Sequence, residues 1–294
     1  MARIHIRFTR YSAFYSPLLM VMAGGHLRAE GLESSYDVIT AEKTVAGGIQ
    51  DGSVQIGQSA VATHFAPYEH GETLPYVHFA QINERDGFFL VGREPAPEFS
   101  WRQLLGRRVL IDHFFQPLAM FRYALHRQQV DETGITIIDA GEPQTMERAF
   151  RDGRGDYVHL QGPAAQQLEQ DGVGHVVAAV GDAVGPVAFS SLCAAPAWLA
   201  SDAARAFVRA YRKARAQVIA SSPQEIAAAE AGFFPEIDRA VLTRTIAAYK
   251  HLGCWTPAVE ISRASYAAAL DVFEFSGLIR RRAPYEVVIA TPPA

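Results

Sequence analysis

Side chains able to do chemistry gather at a few places in this 294-residue chain. Arg10, Tyr11, Phe14 and Tyr15 put one guanidinium beside three aromatic rings; a guanidinium can grip an anion through a bidentate fork, and rings can stack on a flat ligand. Asp112-His113 precedes Phe114, Phe115 and Gln116. An Asp-His pair can hold a general base, but no Ser or Cys nucleophile is marked beside it, so ligand contact is the simpler role for His113. Lys43, Gln58, Ser59, Asn83, Glu142, Gln161 and Phe189 stand at the ends of other segments and complete the candidate ligand-binding set. Blander readings exist for each: Phe14 and Phe115 can pack beneath their loops, and Arg10 and Lys43 can be solvated.

Other groupings point to no cofactor. His64, Glu69, His70 and Glu72 have metal-ligand side chains, but Pro67 interrupts the helical face that would align the two histidines. Cys193 and Cys254 are too few and too far apart for a disulfide framework or a metal site, and they do not fix the compartment. Cys193, within Ser190-Ser191-Leu192-Cys193-Ala194, reads as a small buried hydrophobe.

The elements that must position these residues follow an α/β rhythm. Arg3 to Thr9 alternates apolar and polar side chains, the signature of a strand, and Ser16-Pro17 predicts the start of a helix running to about Ala29, with Gly31 left-handed beyond it. Strands follow at 36–40, 54–58 and 76–82, with 88–92 continuing in extended form. The helices between them imply crossover units and a mainly parallel sheet. Glu94-Pro95-Ala96-Pro97-Glu98 predicts a lobe boundary, after which the rhythm restarts. Both halves run a helix into Asp-Gly and then a strand, at Asp51-Gly52 and Asp152-Gly153. From about Ala197 onward the pattern is helical. The expected division is 1–93 for the first part of lobe 1, 94–187 for lobe 2, and 188–294 for a return segment packed on lobe 1. Loops at the carboxyl ends of strands in such sheets are where ligands sit, and the helices they lead into favour anionic groups.

Composition excludes several classes. A net charge of -4 leaves no electrostatic footprint for nucleic acid, and no apolar run is long enough to span a bilayer. Met1-Ala2 leads at once into the alternating strand, without the apolar run of a secretory signal.

Several stretches in register carry a resemblance. They are Ser16-Pro17-Leu18-Leu19 through Ala29-Glu30-Gly31-Leu32, Gln50 through Gly57, and Leu105-Gly106-Arg107-Arg108-Val109. Trp255-Thr256-Pro257, Ile261-Ser262-Arg263 and Leu270 through Glu274 complete them. With the order of elements, they resemble the type II periplasmic-binding-protein fold. The particular likeness is to the substrate-binding proteins of ABC importers for nitrate, sulfonates, taurine and thiamine pyrimidine precursors, a family that also includes thiamine-pyrimidine synthases. The resemblance implies two lobes joined by two crossovers. It implies closure around a small ligand, here an aromatic or heteroaromatic and potentially anionic one, and delivery to an ABC permease. The synthases' Cys-rich stretch is absent, as is the first-lobe cysteine of a related desulfinase, which argues against both chemistries. A lyase or synthase on the same fold, with His113 as base, is the alternative. The expected compartment is periplasmic if a signal peptide has been removed and cytoplasmic if Met1 is the true start.

Overall fold

A computed structural model describes residues 1–294. Its strands are β1 (Ala2–Phe8), β2 (Leu32–Val38), β3 (Ile56–Ser59), β4 (Val77–Asn83), β5 (Phe88–Gly92), β6 (Arg108–Leu110), β7 (Thr136–Ile138), β8 (Tyr157–Gln161), β9 (His175–Ala179) and β10 (Ser190–Ala194). The longer helices are α1 (Ser16–Ala23), α2 (Phe115–Arg127), α3 (Pro143–Arg151), α4 (Ala164–Gln170), α5 (Asp202–Ala220), α6 (Pro223–Glu230), α7 (Arg239–Leu252) and α8 (Arg263–Phe275). No helix is long and apolar enough to cross a membrane.

The strands form two five-stranded sheets of the same plan, β2-β1-β3-β10-β4 and β7-β6-β8-β5-β9. In each, parallel pairs flank a leading strand, β1 or β6, and one antiparallel strand, β10 or β5, is inserted beside the third. This is the two-lobe periplasmic-binding-protein architecture. Alternation in β1 buries Ile4, Ile6 and Phe8 on one face. Its other face is not simply wet: Arg7 is also buried, where its Nε and Nη2 each donate to the Asp37 carboxylate at 2.8 Å.

The chain enters the second sheet earlier than expected. Phe88–Gly92 does not continue the first sheet; it pairs antiparallel with β8 and β9, so the crossing lies in 84–87 and not in the Pro-rich segment at 94–98. An apolar strand of five residues has no local feature that names its neighbours. The return crossing runs through 185–189 into β10 and is bonded to the first one, Val187 N–H to Glu84 O at 2.8 Å and Phe189 N–H to Asn83 O at 3.2 Å.

Helix α1 also ends early, at Ala23, because Gly25 takes a positive φ of 72° and a separate short turn, His26–Ala29, follows; Gly31 is left-handed as expected, at 75°. Ser16 does not cap α1. Its hydroxyl lies 2.8 Å from Ala13 O and 2.9 Å from Glu230 Oε2, while Ser12 Oγ accepts from Phe14 N–H and caps the tight turn 13–15. In the return segment, Ser222 forms a capping box with Glu225, and Asp238 and Ser262 cap α7 and α8. Helices α5 and α6 pack on α1, whereas α7 also touches α4 and α8 also touches α2, both attached to the second sheet. The buried Arg215 of α5 donates to Ile82 O at 2.9 Å, fixing the end of β4 where the first crossing begins.

Tyr249 of α7 ties the crossing to the far sheet: its hydroxyl accepts the Gly162 N–H at 2.8 Å and donates to Gly87 O at 3.2 Å. Tyr249→Phe leaves both buried backbone groups without that partner and is expected to cost about 1–3 kcal/mol. Urea unfolding measures it, and an unchanged midpoint would remove the hydroxyl from any structural role.

Candidate functional site

A cleft of about 790 Å³ lies between the carboxyl ends of the two sheets. The first sheet contributes Thr9 to Ser12 after β1 and Val38 to Ala41 after β2; the second contributes Asp112, Phe114, Glu142 to Gln144, and Leu160 to Ala164. An inner pocket of about 100 Å³ continues from it, sharing Thr9, Arg10, Phe88, Phe114 and Gln161 and adding Tyr15, Gln58, Ser59, Phe115, Gln116, Phe189 and Ser190.

Arg10 crosses the cleft. Its Nη1 donates to Asp112 Oδ2, and its guanidinium carbon lies 5.1 Å from the Phe114 ring centroid and 5.9 Å from that of Phe88. Asp112 Oδ1 accepts the Phe114 N–H at 2.8 Å, so both carboxylate oxygens are engaged. A second bridge joins the same loops: Ser12 Oγ donates to Gly162 O at 2.6 Å. Gln58 fixes the β1 loop from below, since its Oε1 accepts from Thr9 N–H at 2.9 Å and Thr9 Oγ1 at 2.8 Å. Gln116 Nε2 donates to Phe189 O at 3.2 Å. Burial pushes the Tyr15 hydroxyl above its ordinary pKa, with Arg10, Gln161 and Ser190 opposing the shift.

The cleft therefore brings together Arg10, Tyr15, Gln58, Ser59, Phe114, Gln116, Glu142, Gln161 and Phe189. Tyr11 lines the wider cleft but not the inner pocket; its ring stacks on Tyr36 at 5.9 Å and packs against Phe8 and Phe234. The remaining candidates lie elsewhere. Phe14 is fully buried, packed on Phe189 and Tyr249. Asn83 is buried at the end of β4, where its Oδ1 accepts the Trp255 Nε1–H at 2.9 Å. Lys43 is exposed in a separate polar depression beside Arg7 and Asp37. His113 turns away from the cleft: its Nδ1 is 2.8 Å from Ile111 O and 3.8 Å from Asp139, while Asp112 is taken by Arg10. The Asp112-His113 pair that the alternative reading needs as a base is not formed, and the ligand contact expected of His113 is not made in the cleft.

Asp112, Phe88 and the groups beneath them were not among the ligand-binding candidates. Burial pushes the Asp86 carboxyl up to about 8, and its Oδ2 has no partner. Burial, reinforced by Arg10, pushes His159 down to about 3; its ring stacks on Phe88 at 4.3 Å, and neither nitrogen is bonded. No cluster of three or more His, Cys, Asp or Glu is placed to hold a metal ion. His64 is buried, its Nε2 against Tyr76 O at 2.9 Å, while His70 is on the surface.

The sequence matches the family described as NMT1/THI5 like over residues 14–226. The chain belongs to that family. YtlA of Bacillus subtilis (strain 168) is 28% identical to this NMT1/THI5-like chain over 98% of its length and 88% of YtlA. Among solved structures, the ligand-binding component of an ABC-type import system from Staphylococcus aureus, with zinc bound, superposes with a TM-score of 0.77 at 15% identity, covering 99% of this chain and 97% of that one. The alkanesulfonate-binding protein SsuA from Xanthomonas axonopodis pv. citri, bound to MOPS, gives a TM-score of 0.72 at 15% identity and covers 99% of both chains. A component of an ABC-type import system and an alkanesulfonate-binding protein thus share the fold of this NMT1/THI5-like chain.

The floor has a pH signature. Folded Asp86 keeps its proton to about pH 8, whereas the unfolded carboxyl loses it near 3.8, so the folded state binds more protons between and stability falls as pH rises across that window. The buried His64, His78 and His159 act in the opposite sense, lowering stability as pH drops below 6.5. Above 6.5 they are neutral in both states, and the buried acids Asp86 and Glu230 set this part of the slope. Asp86→Asn should flatten the decline between pH 6.5 and 8 and be more stable than the native chain at pH 8. Denaturant midpoints at several pH values test this; parallel curves for the two proteins contradict it.

Proposed function

We propose that this protein is a solute-binding protein that closes, by hinge motion at the two crossings, around a small aromatic or heteroaromatic molecule and delivers it to an ABC permease. The inner pocket carries the reading. Its volume of about 100 Å³ accommodates about one six-membered ring, and its walls are Tyr15, Phe88, Phe114, Phe115 and Phe189. Beside the Asp112-paired Arg10, uncharged polar groups supply the remaining contacts. Gln58 uses its Oε1 on Thr9, leaving Nε2 as a donor, and Gln116 uses its Nε2 on Phe189, leaving Oε1 as an acceptor. Gln161, Ser59 and Ser190 line the same space. The wider cleft leaves room for a substituent on the ring.

Of the two expectations, ring and anion, the lining supports the ring. Helices α1, α2 and α3 start on the cleft loops, but each carries proline in its first three positions (Pro17, Pro117 and Pro143), so each start offers one amide fewer to an anion. Closure draws support from the positions of the bridges: Arg10 to Asp112 and Ser12 to Gly162 both join the β1 loop to the second sheet. The family and the import-system proteins that share the fold support the transport setting.

A thermal-shift panel of pyrimidines, nicotinamides, aromatic acids and alkanesulfonates tests the reading, with single-ring heterocycles expected to stabilise the chain and to be recovered unchanged. Phe114 is 58% exposed, so Phe114→Ala should leave stability nearly intact while weakening the best hit by about 1 kcal/mol. Stabilisation by open-chain alkanesulfonates alone, or undiminished affinity in Phe114→Ala, contradicts it.

A further inference from the structure

The cleft lining contains one cation, and that cation is already neutralised. Arg10 is paired with Asp112, whose side chain is only 3% exposed against 21% for Arg10. The pair is held in place: Phe88 and Phe114 flank the guanidinium, and the Phe114 N–H anchors the other carboxylate oxygen. Glu142 adds a further carboxylate on the second-sheet side of the cleft, where Glu147 is already paired with Arg151 at 2.8 Å. Beneath the floor, Asp86 and His159 are both uncharged near neutral pH because burial opposes their charged forms, so neither offsets this balance. One guanidinium thus faces two carboxylates, Asp112 and Glu142.

We propose that Asp112 is the specificity-determining residue of the cleft: by occupying Arg10 it admits uncharged or cationic rings and excludes aromatic carboxylates and sulfonates. This rests on the reading of the inner pocket as a ring site. An anionic ligand has two ways in, and both are costly. It can displace Asp112 from Arg10, which leaves a buried carboxylate unpaired, or it can lie beside that carboxylate, where like charges repel in a poorly solvated space. An uncharged ring meets neither penalty. A cation gains from Glu142 and the outer face of the Asp112 pair.

Benzoate, benzamide and benzamidine present the same ring with charges of about −1, 0 and +1 at neutral pH, and calorimetric titration of the full chain with each tests the proposal. The native protein should bind benzamide and benzamidine about tenfold or more tighter than benzoate. In Asp112→Asn, whose side-chain oxygen can still accept the Phe114 N–H, the benzoate-to-benzamide affinity ratio should rise about tenfold or more as Arg10 becomes free. A general distortion of the pocket would weaken all three probes together and leave that ratio where it was. Arg10→Gln should move the ratio the other way and raise affinity for benzamidine. If Asp112→Asn does not melt cooperatively, the native order and Arg10→Gln decide the question. Benzoate binding as tightly as benzamide to the native chain overturns the proposal, as does an unmoved ratio in a folded Asp112→Asn. Binding of the series without any order by charge removes the charge filter alone, whereas failure of all three to bind removes the ring site and the filter with it.

Discussion

The two crossings between the sheets are bonded to each other, and the rest of the molecule depends on that pairing. Asn83 and Glu84 accept the amides of Phe189 and Val187, so the outgoing and returning chains run side by side. Each crossing feeds the antiparallel strand of its sheet, β5 on the way out and β10 on the way back. This antiparallel insertion directs the parallel strands of both sheets so that their carboxyl ends face one another. The cleft follows from topology before any side chain is chosen.

Much of this was legible because local rules and global fold agree. Alternation in β1, the left-handed Gly31, the capping serines and the Asp-Gly turns are backbone preferences that operate within a few residues. What was not legible depended on partners distant in sequence. Phe88–Gly92 is apolar and extended in either sheet; pairing with β8 and β9, some seventy to ninety residues onward, decides which. The single helix expected through Ala29 failed for a local reason that was visible, since the Gly24-Gly25 pair permits the positive φ that ends α1.

The site divides the same way. Residues at a strand end alternate sides, so Asp112 and Phe114 share the cleft face while His113 points off it. Adjacency in sequence suggested an Asp-His pair, but the period of two argues against it, and that signal was available. Phe14 and Asn83 offered no such clue. Their fates are set by Trp255 and Tyr249, which the return segment supplies. Tyr11 is held outside the inner pocket by Tyr36, Phe233 and Phe234, an aromatic cluster assembled from three parts of the chain.

Unpaired buried polar groups mark where fold and function compete. Asn83 Nδ2, Asp86 Oδ2 and both nitrogens of His159 lie at the first crossing or against the cleft-wall ring Phe88. Each costs stability that an apolar side chain there would not. A floor built only for strength would replace them with leucine or phenylalanine. Ionised, Asp86 and His159 would compete for Arg10 and Asp112; kept uncharged by burial, they leave that pair as the principal charge beneath the rings. Conversely, removing Arg10 would leave Asp112 as a nearly buried carboxylate with only one amide to satisfy it. The cross-cleft pair and the neutral floor are therefore mutually dependent: each makes the other's burial tolerable, and together they give the pocket aromatic walls with little net charge behind them.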